Sequence, residues 1–328
     1  MSQLSALFTV RRESTFSEYS FSYTDWKTDY SHSWQAGLTS AESKHLKLSL
    51  EHFAKRPSLE LVAQIQEVLN HLLPPTLLAK LVEQPPASLA LVSDETDLPW
   101  EWLGRAGSPL FCRCDFTRDL SQRPSSSPLP SAPPLYCLIG DTLTKQSGID
   151  DELNSIQGIL KETQGKVMNG TATASRQTLL DALYGNRFSL LHLACPGGES
   201  LELGGAQLAP GTSSGPERTS PRWIWFHHYL RPDQPQASLL QTPSKWASDL
   251  FGHGCEAFLV NLWSGSPTDQ RRFSKAVYNA LLQGETLGSS VRQARLQLWE
   301  RGSALAFAYY LFGNSQLRLS DFAPMRVR

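Results

Sequence analysis

An α/β fold is predicted, with a mostly parallel central sheet and helices on both faces, preceded by a smaller α+β region. Three observations carry this. Apolar strands alternate with helical patterns from residue 135 onward, which is how βαβ units read. The run Ser189 to Gly198, SLLHLACPGG, is a buried strand that stops at Pro-Gly-Gly and hands the chain to a loop. Between the two regions lies SQRPSSSPLPSAPP, residues 121–134, a Pro/Ser-rich linker unsuited to helix or sheet.

The elements follow in order. Leu7 to Val10 and the alternating Tyr19, Phe21 and Tyr23 predict two strands. After a polar loop, Ser58 caps a helix whose stripe is Leu61, Ile65, Val68, Leu69 and Leu72, ended by Pro74-Pro75. A second helix follows over 76–82, and Ser88 to Val92 is a strand leading into LPWEWL, residues 98–103. Trp100 and Trp102 there read as anchors around one buried-prone carboxylate, Glu101.

Past the linker, Leu135 to Ile139 is a strand that runs into Asp141, a candidate cleft residue. Asp151 to Lys161 is a helix whose acids Asp150, Asp151 and Glu152 complement its dipole. Val167 marks an edge strand, 177–184 a helix, and 201–208 a hairpin turned at Gly204-Gly205. Gly211 to Arg222 is a mobile loop by composition. Trp223 to Phe226 and Ala257 to Leu262 are core strands. Pro243, Pro267 and Thr286 open helices, the last striped by Leu287, Val291, Ala294 and Leu298. Phe307 to Phe312 closes the chain's ordered pattern.

The chain has 328 residues, 40% hydrophobic and 19% charged, with nine Trp, and is long enough for a substantial core. A net charge of -1 gives no field to hold a phosphate backbone, so direct nucleic-acid binding is not expected. Cys112, Cys114, Cys137, Cys195 and Cys255 lack zinc-ligand spacing and read as reduced thiols. No signal-peptide order and no apolar run of about 20 residues is present, so a cytoplasmic location is expected and no membrane association.

His192-Leu193-Ala194-Cys195-Pro196-Gly197 resembles the His-Phe-Ala-Gly-His-Gly strand end of the caspase-like CHAT peptidases. Leu98-Pro99-Trp100-Glu101 resembles a motif upstream of their core. Gly254 to Leu319 resembles their C-terminal part, with a strand ending Leu262-Trp263 and Phe273 and Tyr278 at the family's spacing. The resemblance implies a caspase-like sandwich over 135–328 and an α+β extension over 1–120. It also places the family's catalytic His at Pro196 and its nucleophilic Cys at Tyr229, or at His228 if the register slips by one.

Proline carries no proton for general-base catalysis, so no catalytic residue is expected at the degenerate positions Pro196, His228 and Tyr229. His192, Gly197 and Gly198 read as structural residues of the strand end. A rearranged dyad of Cys195 with His227 or His228 is the enzymatic alternative, since adjacent strand ends lie about 5 Å apart. A metal centre of His192, His227, His228 and Cys195 rests on strand-end convergence alone, and neither metal nor cofactor is expected. Gly204-Gly205 and Gly197-Gly198 lack the Lys-Ser ending of a phosphate loop.

A preserved frame without reacting groups predicts a catalytically inactive scaffold or regulatory subunit. Its partner is expected to be another protein, such as an active peptidase or a sensor/effector complex, and the resemblance implies a prokaryotic defence or signalling assembly. Trp223, Trp225, Trp263 and the loop 211–222 are the expected contact surface. Peptide docking by strand addition and a ligand-sensing module remain alternatives.

Overall fold

The computed structural model describes residues 5–13, 18–94, 98–105, 108–119, 136–140, 148–161, 165–169, 176–185, 187–195, 201–203, 206–212, 219–229 and 241–321. The linker 121–134, Asp141, and Pro196 to Gly198 lie outside them, as do residues 213–218 of the Gly211–Arg222 loop.

The N-terminal part contains β1 (Ala6–Arg12), β2 (Glu18–Asp25), β3 (Tyr30–Gly37), α1 (Ser40–Lys55), α2 (Leu59–His71), α3 (Pro75–Glu83), β4 (Ser88–Ser93), the two-residue strands β5 (Gly104–Arg105) and β6 (Ser108–Pro109), α4 (Leu110–Arg113) and β7 (Asp115–Asp119). The C-terminal part contains β8 (Tyr136–Gly140), α5 (Ile149–Ile159), β9 (Gly165–Asn169), α6 (Arg176–Tyr184), β10 (Leu190–Cys195), β11 (Leu201–Leu203), β12 (Ala206–Leu208), β13 (Trp223–His228), α7 (Gln241–Gly252), β14 (Ala257–Asn261), α8 (Pro267–Leu282), α9 (Leu287–Trp299) and β15 (Tyr309–Gly313).

Eleven of these strands form one sheet, ordered β3-β2-β1-β4-β7-β15-β14-β13-β10-β8-β9. The pairings are parallel except β1/β2, β2/β3 and β14/β15. The fold class expected from the sequence is therefore the one observed. β11 and β12 form the expected antiparallel pair.

The two parts meet inside the sheet rather than across a gap. Strand β7 lies beside β15, with Arg118 opposite Phe312, and the Thr117 hydroxyl donates to the carbonyls of Gly313 at 2.8 Å and Leu311 at 3.2 Å. The LPWEWL segment is buried beside that junction. Glu101 there accepts two bonds from the Arg118 guanidinium, at 2.5 and 2.7 Å, and the same guanidinium reaches the Leu98 carbonyl at 2.7 Å. Trp100 packs edge-on against Phe8 and Phe21, and Trp102 against Phe53 and Phe307.

The sequence reading leaves out β3, α1 and the elements of 104–119, β7 among them. The stretch 27–57 holds β3 and α1 instead of a polar loop. Helix α1 opens with a reciprocal capping box between Thr39 and Glu42. Helices α8 and α9 begin where expected: the Ser266 side chain accepts from the Asp269 N–H, and the Thr286 side chain from the Ser289 N–H.

Candidate functional site

The site is built where β10 and β13 run side by side in parallel register, His192 opposite Trp225, Ala194 opposite His227, and Cys195 opposite His228. Side chains alternate along a strand, so His192, Trp225 and His227 share one face of the sheet while Cys195, Phe226 and His228 share the other. The first face is covered by α5 and α8. The buried stripe of α5 is Ile149, Glu152, Leu153 and Ile156, and that of α8 includes Gln270, Phe273, Ser274, Val277 and Tyr278. Polar residues occupy slots of two otherwise apolar stripes, and the packing drives them against His192 and His227.

Glu152 is the hub. Its Oε1 lies 2.6 Å from His227 Nδ1 and accepts from the Ser274 hydroxyl, and its Oε2 accepts from the Tyr229 hydroxyl at 2.6 Å. His227 Nε2 meets the Tyr309 hydroxyl at 3.0 Å and the Gln270 amide nitrogen at 3.3 Å. The same amide donates to the His228 carbonyl at 3.1 Å. His192 Nδ1 lies 3.1 Å from the Tyr278 hydroxyl, and its Nε2 points toward Glu152 Oε1 from 3.7 Å. Glu152, His192 and His227 are each 0% exposed.

Burial works against the Glu152 carboxylate, but the charge of His227, its hydrogen bond, His192 and Ser274 together outweigh it and bring the group down to about 2. Burial, with His227 nearby, lowers His192 to about 3. Tyr229, Tyr278 and Tyr309 are pushed up, first by burial and then by the Glu152 charge, so all three remain phenols at neutral pH. The cluster is thus a buried carboxylate surrounded by hydroxyl donors and imidazoles.

Acyl transfer is not what this arrangement serves. A Ser-His-acid relay needs hydroxyl and carboxylate on opposite ring nitrogens. Here Ser274 Oγ, at 3.3 Å, and Glu152 both address His227 Nδ1, and the cluster is sealed from substrate.

Solved structures share this architecture. Saccharomyces cerevisiae separase, in its complex with securin, matches with a TM-score of 0.59 and 11% identity, covering 94% of this chain and 30% of that chain. The Arg-specific cysteine proteinase gingipain R matches with a TM-score of 0.53 and 11% identity, covering 85% and 76%. The fold is caspase-like. This chain therefore spans less than a third of the separase chain it matches, and the identities carry the likeness of fold alone. No family model and no curated protein matches the sequence.

Within the caspase-like frame, the residues singled out from the sequence separate into two groups. His192, His227 and Tyr229 enter the Glu152 cluster. Cys195 and His228 are neighbours on the opposite face, both buried. The register thereby offers His228 to Cys195 and turns His227 away from it. The Asn261 side chain clamps the end of β13, accepting from the His228 N–H at 2.7 Å and donating to its carbonyl at 2.8 Å. Burial, with His227 nearby, lowers His228 to about 4.

The expected contact surface of Trp223, Trp225 and Trp263 is corrected: all three are core residues, at 0%, 0% and 2% exposure. Strand β13 has neighbours on both sides, and Trp225 stacks on Tyr278 at 5.7 Å between ring centres. Trp263 packs edge-on against Phe53 and Trp102. Sequence reasoning missed Glu152, Gln270, Ser274 and Tyr309 as members of a site. The available signal was polar residues interrupting stripes at i, i+3, i+4 and i+7 in α5 and α8.

Proposed function

We propose that this chain is a caspase-like protein without a working peptidase dyad, acting by binding another protein. The observation that carries this reading is the fate of Tyr229. The resemblance puts the family's nucleophile at that residue, and Tyr229 is buried with its hydroxyl committed to Glu152. A neutral phenol held by an internal carboxylate attacks nothing. Pro196, at the family's catalytic His position, supplies no base.

A scaffold or regulatory subunit in a prokaryotic defence or signalling assembly is the role that fits. Its partner would be an active peptidase or a sensor/effector complex. The separase structure, solved with securin bound, is a precedent for a protein with this fold being held by a protein partner. Among the described residues no helix is long and apolar enough to cross a membrane, which is compatible with a cytoplasmic role.

A second reading has one observation in its favour: Cys195 and His228 are register partners on one sheet face. Both readings are separated by incubating the protein with a complex peptide pool and with a thiol-directed peptidyl probe, read by mass spectrometry. The binding reading expects no cleavage and a stoichiometric partner on co-purification from the native host. Hydrolysis that disappears in Cys195→Ala would overturn it and establish the rearranged dyad.

A further inference from the structure

We infer that Glu152, His192 and His227 form a closed site for one divalent first-row transition metal, of the zinc class. Their ligand atoms all lie within 4.8 Å of one another and come from three elements, α5, β10 and β13. Zinc bonds of about 2.0–2.2 Å in tetrahedral geometry place ligands roughly 3.3 Å apart. The observed separations from Glu152 Oε1, 2.6 Å to His227 and 3.7 Å to His192, bracket that spacing. The whole set spans no more than 4.8 Å, so the side chains must draw together around the ion to close the shell.

Each ligand already has the outer partner that a metal site uses to fix orientation. A phenol meets the distal nitrogen of both imidazoles, Tyr278 at His192 Nδ1 and Tyr309 at His227 Nε2, and Tyr229 holds the second carboxylate oxygen. Ser274 Oγ, against Glu152 and 3.3 Å from His227 Nδ1, is placed to be the fourth ligand, an oxygen.

The protein groups alone leave the cluster incomplete. His192 Nε2 is fully buried and has no hydrogen-bond partner among the described residues. With the ring proton on Nδ1, a bare lone pair faces an anionic oxygen at 3.7 Å; with the proton on Nε2, the N–H falls short of that oxygen. A cation between them turns that mismatch into two bonds. The four-residue centre considered from the sequence is different, because Cys195 and His228 face away. Complete burial makes this a site that supports folding, filled as the chain folds, rather than one that meets substrate.

The test uses the full chain. Metal content is measured by mass spectrometry as purified, and again after unfolding in chelator and refolding with Zn²⁺ or Co²⁺. The expected result is about one equivalent per chain, a higher melting temperature with metal, and the intense visible absorption of four-coordinate Co²⁺. His192→Asn should lose the equivalent. Because that variant risks misfolding, Tyr278→Phe, which leaves every ligand in place, should keep the fold and weaken metal binding about 10–100-fold. Wild-type protein that takes up no metal on refolding and shows no melting shift overturns the assignment. So does full occupancy in His192→Asn, or an unchanged affinity in Tyr278→Phe.

Discussion

Two buried carboxylates pack against two parts of the same sheet and are held in opposite ways. Glu101 is gripped by a guanidinium fork that also ties down the Leu98 carbonyl, with the Arg118 cation 5.1 Å from the Tyr310 ring centre. Arginine does not titrate in any accessible range, so this contact is fixed. Glu152 is held by two imidazoles, two hydroxyls and no permanent cation. The first is a lock between parts of the chain, and the second is a closed cluster without a fixed countercharge.

Breaking the lock should cost most. Arg118→Met removes the fork that holds Glu101 in the core and is expected to destabilise by about 3–5 kcal/mol in urea unfolding, whereas adding Glu101→Leu should restore most of the loss. If the double variant is no better than the single, the fork does more than neutralise Glu101.

Acid should act next on the Glu152 cluster and on His228, which lies on the opposite face of β13. His192 and His228 have folded values near 3 and 4 against an ordinary 6.5, and Glu152 near 2 against 4.5. All three are depressed, so the unfolded chain binds more protons and their stabilisation, full above pH 6.5, drains as pH falls. The two histidines act from 6.5 downward and Glu152 from 4.5 toward 2. Each proton contributes a slope of about 1.4 kcal/mol per pH unit. Equilibrium unfolding between pH 7 and 4 should show this decline, reduced in His192→Asn; a flat profile contradicts it.

A smaller effect sharpens the contrast. Tyr229→Phe removes a bond to a charged oxygen and should cost about 1.5–3 kcal/mol by chemical unfolding, without creating peptidase activity. The smallest is Ser266→Ala, which removes the cap of α8 and should cost about 1 kcal/mol by the same measurement while leaving the acid profile unchanged.

Much of this frame could be read from residue patterns. Strands β10, β13 and β14 are continuous apolar runs because both their faces are covered, and α8 and α9 announce themselves by Ser266-Pro267 and Thr286. Strand β3 was hidden because it is half-exposed at the sheet edge and built of Ser, His and Gln. Helix α1 was hidden by its polarity, with Leu46, Ser49 and Phe53 its buried positions, although Thr39-x-x-Glu42 marked its start.

The site was less legible for a different reason. Glu152 follows two acids at a helix N-terminus and looks like part of a solvated cluster. Its position between Ile149 and Leu153/Ile156 on the stripe sends it inward instead. Trp223 and Trp225 look like surface anchors beside a polar loop, but a central strand flanked by β10 and β14 leaves them no solvent.

The β7/β15 junction has a practical corollary for dissecting the molecule. Cutting anywhere in 120–135 would not release two self-sufficient modules, because each piece would bare the sheet edge that the β7/β15 contact covers. Residues 136–328 made by themselves should aggregate or capture a foreign strand. Supplied together, the two pieces should find each other and mend the sheet, which makes the chain a natural candidate for a split-protein reporter.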